Sequence, residues 1–299
     1  MFYFWMMRIK EGYQLLQQRL QSMYEPREAS QIAEMVMEKI TGYTRTERLV
    51  HHDILLDTHQ TEMFEQYLRE LESGRPVQYV LGECWFQNML FKVDERVLIP
   101  RPETEELVEY IKTHYKNIPC SIESACKMID IGTGSGCIAV SLKKAFPLIE
   151  VWAVDKSSRA LELAMENANK LNAEISFKQT DILEESKNDS LPAFNIIVSN
   201  PPYIPQHESR ELEKHVIAFE PNEALFVTNQ DPLEFYKAIV EFSEHHLLRG
   251  GMVFFETHEK YAKDVALLLE ENEFEQVQMK KDIQGKDRIV SAKRMGASL

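Results

Sequence analysis

The 299-residue chain is short of cysteine, of positive charge and of long apolar runs. Its four cysteines stand at 84, 120, 126 and 137, and no two have CxxC spacing, which argues against a structural zinc site. Four are also too few for a disulfide framework, so reduced thiols are expected. Lysine and arginine total 34 against 48 aspartates and glutamates, a net charge of −14. That balance excludes a protein that coats nucleic acid by bulk charge, although a local basic groove remains compatible with it. No stretch reaches the roughly 18 apolar residues of a membrane span. The opening run Met1–Met7 is apolar, but it lacks the leading charges and small-residue ending of a signal peptide. It reads as an upstream extension with Met6 or Met7 as the start, and the protein as soluble and cytoplasmic. Apolar residues at 44% and charged residues at 27% exclude disorder of the whole.

Three regions differ in pattern. Leu15, Leu16, Leu20 and Met23, then Ile32, Met35, Val36 and Ile40, then Met63, Phe64, Tyr67, Leu68 and Leu71 recur at helical spacing up to Gly74. Residues 1–74 therefore form a small helical domain, and its 8 basic against 12 acidic residues make it no arm for nucleic acid. Residues 75–100 turn aromatic and β-branched around Gln87-Asn88 and predict a β-hairpin linker. Residues 101–299 open with a helix over about 103–116, favoured by Pro102 and the acids of its first turn. Strands and helices then alternate: strands at 128–131, 151–154, 175–177, 194–198, 252–255, 274–280 and 287–293, with helices at 138–146, 157–172 and 232–248 between them. Such alternation is the pattern of a doubly wound, mostly parallel α/β sheet.

Two constellations carry chemistry. Asp130-Ile131-Gly132-Thr133-Gly134-Ser135-Gly136 lies between a strand and a helix, where glycines let a ligand approach the backbone. Asp155 closes the next strand, 19 residues past Gly136, where a carboxylate suits the two ribose hydroxyls of an adenosine-bearing cofactor. The G-x-G-x-G spacing is not the dinucleotide fingerprint, which lowers a nicotinamide cofactor and raises S-adenosylmethionine. The second constellation, Asn200-Pro201-Pro202-Tyr203, falls at the carboxyl end of a strand, the edge where open α/β sheets bind ligands. The Asn200 carboxamide oxygen and the Pro201 carbonyl can accept both hydrogens of an NH2 group, and the Tyr203 ring can stack on a planar amide or base. An amide nitrogen is a poor nucleophile, so orienting it and stabilising its developing positive charge is the help it needs. The pairs His51-His52 and His245-His246 have no partner at metal spacing, and no metal is expected.

Asn-Pro-Pro-Tyr after a glycine-rich cofactor turn resembles the signature of amino-methyltransferases acting on planar nitrogens. By itself it does not choose among adenine, cytosine, guanine and glutamine. Arg75-Pro76-Val77-Gln78-Tyr79-Val80-Leu81-Gly82-Glu83 closely resembles the family that methylates the glutamine of peptide-chain release factors (PrmC/HemK). So do Val93 to Glu105, Phe219-Glu220-Pro221 with Ala224-Leu225, and Asp282 with Gly285 and Arg288. The resemblance runs from about 75 to 290 and implies a class I, Rossmann-like methyltransferase that methylates N5 of the glutamine in a Gly-Gly-Gln (GGQ) loop. It implies that Gly132, Thr133, Gly134, Ser135, Gly136 and Asp155 hold S-adenosylmethionine, with Asp181 and Ile182 by the adenine and Asn200 facing the methyl donor. Asn200, Pro201, Pro202 and Tyr203 would hold the glutamine. The helical domain would dock the release factor. Arg101 and Glu103 would stand either at the cofactor mouth or in a structural pair. The chain departs from the family at Thr228-Asn229-Gln230-Asp231-Pro232-Leu233 and at Thr257-His258. The alternative is an adenine-N6 or other nucleic-acid amino-methyltransferase, which would want a basic face or an added recognition domain. No direct nucleic-acid substrate and no membrane partner are expected.

Overall fold

The computed structural model describes residues 7–115, 126–184, 190–211, 214–228 and 231–296. The chain divides into two units, one ending at Glu83 and the other beginning at Cys84.

The first unit is helical, with α1 (Ile9–Leu20), α2 (Pro26–Thr41), α3 (Arg45–Val50), α4 (Thr58–Glu72) and α5 (Val77–Leu81). Local chemistry sets the boundaries. Pro26 opens α2, and Gly42 closes it in the left-handed conformation. Thr44 with Glu47 and Asp57 with Gln60 form reciprocal capping boxes for α3 and α4. Leu16, Leu20, Val36, Met37, Phe64 and Leu71 meet in the core. The segment Val77–Leu81 departs from the expected hairpin. Pro76 starts it, and Gly82 at φ 68° ends it, as a short helix buried in the same core. Short apolar β-branched runs look alike as strands or buried helices until their caps are weighed.

The hairpin β1 (Glu83–Phe86) and β2 (Met89–Lys92) opens the second unit, its first residue being the last of the helical one. Gln87 and Asn88 both take positive φ, 49° and 58°, as a two-residue turn between twisted strands requires. There follow α6 (Pro102–His114), β3 (Lys127–Ile131), α7 (Cys137–Ala145), β4 (Glu150–Asp155), α8 (Ser158–Lys170), β5 (Ser176–Gln179) and β6 (Phe194–Ser199). The short strand β7 (Ile204–Pro205), a 3-10 turn over Gln206–Glu211, α9 (Lys214–Phe219), α10 (Asn222–Leu225) and β8 (Phe226–Val227) come next. The unit ends with α11 (Glu234–His246), β9 (Leu247–Glu256), α12 (Ala262–Glu270), β10 (Phe274–Lys281) and β11 (Asp287–Arg294).

Seven strands form one sheet in the order β10-β11-β9-β6-β3-β4-β5. The strands from β9 to β5 are parallel, and β11 and β10 add antiparallel at one edge. Successive residues of the inner strands feed opposite cores. Met128 and Phe254 pack with Leu107, Ile111 and Leu142 on one face, and Ile129 and Phe255 with Tyr236, Ile239 and Phe242 on the other. The chain runs outward from β3 through β4 and β5, then returns to place β6 on the other side of β3. That reversal opens a crevice at the carboxyl ends of β3, β4 and β6.

Cys84 and Cys137 are free buried thiols, but Cys126 is disulfide-bonded, against the reduced state expected of all four. Too few cysteines for a framework still suffice for one bridge. Among the described residues no helix is long and apolar enough to cross a membrane. Met1–Phe4, Trp5 and Met6 of the opening apolar run lie outside the described residues.

The β6–β9 pairing contains one irregularity. Phe194 faces Leu247 while Ile196 faces Met252, so the extra residues of β9 bulge out around Gly250-Gly251. Gly251 is there for space: a Cβ would lie 2.8 Å from the Leu248 carbonyl oxygen and 2.9 Å from that of Asn195. Backbone atoms cannot swing aside as a side chain can. Gly251→Ala is expected to lower stability by about 1–3 kcal/mol, the range of overpacking, as read from urea unfolding midpoints.

Candidate active site

A cavity of about 700 Å³ occupies the crevice. Gly132, Thr133, Gly134 and Ser135 of the glycine turn, Asp155, Asp181, Ile182, Asn200, Pro201 and Pro202 all line it, so residues far apart in sequence converge there. Arg101 and Thr104 of the α6 start and Thr180 line it too.

The turn after β3 is held from several directions. Gly132 and Thr133 donate their N–H groups to the Val154 carbonyl at 2.9 and 3.0 Å. The Asp130 carboxylate accepts from the Thr133 hydroxyl at 2.7 Å and from the Ala139 N–H at 3.2 Å. Burial pushes Asp130 up to about 7, against those two hydrogen bonds. Asn167 on α8, fully buried, donates to the Ser135 carbonyl at 2.9 Å and exchanges hydrogen bonds with the Lys92 backbone, tying turn to hairpin. The glycines differ in purpose. A Cβ on Gly132 or Gly134 would enter open space, at φ 73° and 53° that disfavour any other residue. Gly136 does not line the cavity; its Cβ would sit 3.2 Å from the Ala164 Cβ, so it serves the approach of α7 to α8.

Asp155 accepts from the Gly134 N–H through one oxygen and from the Ser157 N–H through the other, each at 2.9 Å. Burial raises its pKa, and these two bonds oppose the rise. Each oxygen keeps lone-pair capacity for a further donor. The Thr180 hydroxyl is buried and has no hydrogen-bond partner, although it belongs to the cavity wall. An open glycine floor, a carboxylate with spare acceptor capacity and an unpartnered hydroxyl fit an adenosine-bearing cofactor. Asp181 is engaged with Lys156 at 2.6 Å and accepts from the Leu183 N–H at 3.1 Å, while Ile182 is buried.

The tetrapeptide follows β6. Asn200 donates its Nδ2 to the Thr104 hydroxyl at 3.1 Å, and Thr104 donates to Glu256 at 2.7 Å. Tyr203 does not line the cavity; its hydroxyl donates to the other Glu256 oxygen at 3.2 Å, and its ring packs into the core under α11. Glu256 ends β9 and is buried; burial lifts it to about 7, opposed by the Thr104 bond and by Arg288. Arg288 is itself fixed by Asp282 at 3.2 Å and by the Thr257 carbonyl at 3.1 Å. Arg101 both lines the cavity and pairs with buried Glu220 at 2.6 Å, whose second oxygen accepts from the Ile99 N–H. Glu103 is not among the lining residues. Ile204 and Pro205 pair with Phe226 and Val227, which brings Thr228 to the wall. Of the atypical segment at 228–233, residues 229 and 230 lie outside the described residues, and Asp231 holds Lys237 at 2.7 Å. Among the described residues no cluster of histidine, cysteine or acids is placed to hold a metal.

Sequence reasoning missed Thr104, Thr180, Asn167 and Glu256. Glu256 did leave a signal, because a carboxylate closing the apolar strand Met252-Val253-Phe254-Phe255 is the same cue that marked Asp155. Thr104 and Asn167 are unremarkable polar residues whose partners lie far away in sequence, and Thr180 is one whose hydroxyl only the cavity wall singles out.

The chain is similar to known proteins. A methyltransferase small domain matches residues 107–226, and the PrmC N-terminal domain matches 12–82. A release factor glutamine methyltransferase of Flavobacterium psychrophilum is 40% identical over 273 residues, 91% of this chain and 94% of that protein. One from Bacillus subtilis is 37% identical over 261 residues, 87% of this chain and 90% of its own length. The chain belongs to the release factor glutamine methyltransferase family. The hMettl16 catalytic domain matches at a TM-score of 0.51 and 15% identity over 80% of this chain and 82% of its own, a likeness of fold. As a methyltransferase of this family the protein uses S-adenosylmethionine as its methyl donor.

Asp155→Ala is expected to weaken S-adenosylmethionine binding by about 1.5–3 kcal/mol in calorimetry, the worth of hydrogen bonds to a charged group, while the fold survives. Unchanged affinity would remove Asp155 from the cofactor site. A second expectation concerns pH. Glu256 titrates at about 7 in the folded chain against 4.5 for an ordinary glutamate. Between those values the folded state holds a proton that the unfolded chain has lost. Its contribution to stability is therefore full below 4.5 and declines as pH rises towards 7, by about 1.4 kcal/mol per pKa unit displaced. Glu256→Gln should flatten the pH dependence of urea unfolding between pH 5 and 7.5, leaving the part due to Asp130.

Proposed function

We propose that this protein transfers a methyl group from S-adenosylmethionine to the N5 side-chain nitrogen of the glutamine in the GGQ loop of peptide-chain release factors. The reading is carried by one observation: Asn200, Pro201 and Pro202 line the same cavity as the glycine turn and Asp155. A nitrogen presented to the tetrapeptide is thus presented beside the cofactor floor. The family membership favours glutamine over the adenine that the tetrapeptide alone would also suit, and the −14 charge offers no general attraction for nucleic acid.

S-adenosylmethionine supplies, when bound, a methyl group already activated on a positively charged sulfur, so no nucleophilic triad is required. Gly132 and Gly134 leave the floor open, Asp155 offers acceptors for the ribose hydroxyls, and Asp181 and Ile182 stand at the adenine end. Asn200 has given its NH2 group to Thr104, so its carboxamide oxygen is left to accept from the substrate. That oxygen and the Pro201 carbonyl each take one N–H of the glutamine amide. Pro202, lacking an N–H, presents no competing donor. The two acceptors orient the nitrogen and stabilise the positive charge that grows on it. One proton then leaves the methylated nitrogen for water. Tyr203 backs this site through the bond of its hydroxyl to Glu256. Holding nitrogen and methyl donor together supplies orientation worth roughly 7–11 kcal/mol in well-aligned systems. The helical unit, matched over 12–82 by the PrmC N-terminal domain, docks the release factor, since one loop glutamine offers little surface for selection.

The test is single-turnover methylation of a purified release factor at saturating S-adenosylmethionine, with a Gln→Ala loop variant and a DNA duplex as controls. Asn200→Ala should lower the rate about 10²–10³-fold, the cost of removing one preorganised group, with cofactor affinity little changed. Asn200→Asp keeps the shape but places a negative charge beside the methyl donor, and should also be slow. Methylation of the duplex but not of the release factor would overturn the reading.

A further inference from the structure

We infer that Thr104 is a positioning residue for Asn200, its hydroxyl hydrogen committed to Glu256 so that the Asn200 carboxamide can present only its oxygen to the substrate. The inference rests on the role proposed for Asn200.

A carboxamide has two ends of nearly equal shape and opposite hydrogen-bonding sense. Flipped, Asn200 would aim an NH2 group at the substrate NH2 group, donor against donor. Something must set the flip, and the substrate comes too late to preorganise it. The structure holds a chain of three groups that does so. Above about pH 7, where transfer is to be measured, Glu256 is a buried carboxylate that, ionised, only accepts. It takes the single hydroxyl hydrogen of Thr104 at 2.7 Å. Thr104 Oγ1 then has only lone pairs left to offer, and the Asn200 atom 3.1 Å away must be the nitrogen. Oδ1 is thereby directed to the cavity that Asn200 lines. Each link is rigid. Thr104 is 2% exposed on α6, and Glu256 lies at the end of β9, its second oxygen filled by the Tyr203 hydroxyl at 3.2 Å. Burial opposes the ionised carboxylate, as does Glu103, while the Thr104 and Tyr203 hydroxyls and Arg288 favour it. Thr104 thus works through Asn200 and does not itself meet the glutamine nitrogen in this scheme.

Thr104→Ala and Thr104→Val remove the hydroxyl, the second keeping the shape, while Thr104→Ser keeps it. Methyl transfer to a purified release factor is measured in single turnover with each, alongside calorimetric S-adenosylmethionine affinity and thermal melting. Both hydroxyl-lacking variants should slow transfer roughly 10- to 100-fold, the range expected when a buried donor loses its partner. Release factor KM and cofactor affinity should stay within about twofold, and Thr104→Ser should restore the rate. In a double-mutant cycle, Thr104→Val placed on Asn200→Ala should add no further loss, since the group it positions is gone. A wild-type rate for Thr104→Val and Thr104→Ala beside a slow Asn200→Ala would overturn this inference and leave the proposed function standing. So would a fully additive cycle. A wild-type rate for Asn200→Ala would overturn both.

Discussion

A buried carboxylate organises the second unit. Glu256 sits at the end of an apolar strand with almost no access to water, where a charge must be paired or neutralised. Its demand is met by Thr104 from α6, Tyr203 from the segment after β6, and the field of Arg288 from β11. Three distant parts of the chain are thus required to meet at one place. A buried polar group satisfied by so many elements tolerates little displacement of any of them. The position of Asn200 is a consequence, because it hangs from the same Thr104 hydroxyl.

The glycine-turn side of the cavity obeys a related constraint. Asp130 and Asp155 are carboxylates held against burial by backbone N–H groups and one hydroxyl, and both shape the turn between β3 and α7. Asn167 then locks the outside of that turn to the hairpin through Ser135 and Lys92. What looks in sequence like a permissive glycine loop is a rigid floor, open only where Gly132 and Gly134 lack a Cβ. Rigidity before binding is what lets such a site orient two reactants.

The stretches of the second unit that carry the family resemblance turn out to be neighbours. Ile99 and Arg101 meet Glu220, and Asp282 with Arg288 buttresses the strand that ends in Glu256. Motifs separated by more than a hundred positions are therefore one structural frame around the cavity.

Much was legible in the chain before folding. The alternation of strands and helices, the glycine turn with its strand-end Asp155, and the tetrapeptide at a strand terminus are local patterns, governed by propensity and by period. They locate the crevice because a doubly wound sheet puts strand ends together. Local pattern misread Val77–Leu81 as strand, since its caps, Pro76 and Gly82, outweigh a β-branched run too short to show a period. It could not find Thr104 or Asn167, which are ordinary polar residues until a partner arrives from elsewhere, or Thr180, whose place in the cavity wall only the fold decides. Nor could it show that the Tyr203 hydroxyl goes to Glu256. The sequence alone determined which chemical groups are available and on which sheet edge they fall. Tertiary structure decided which way each group points, because a hydrogen bond depends on the partner's position in space and not on distance along the chain.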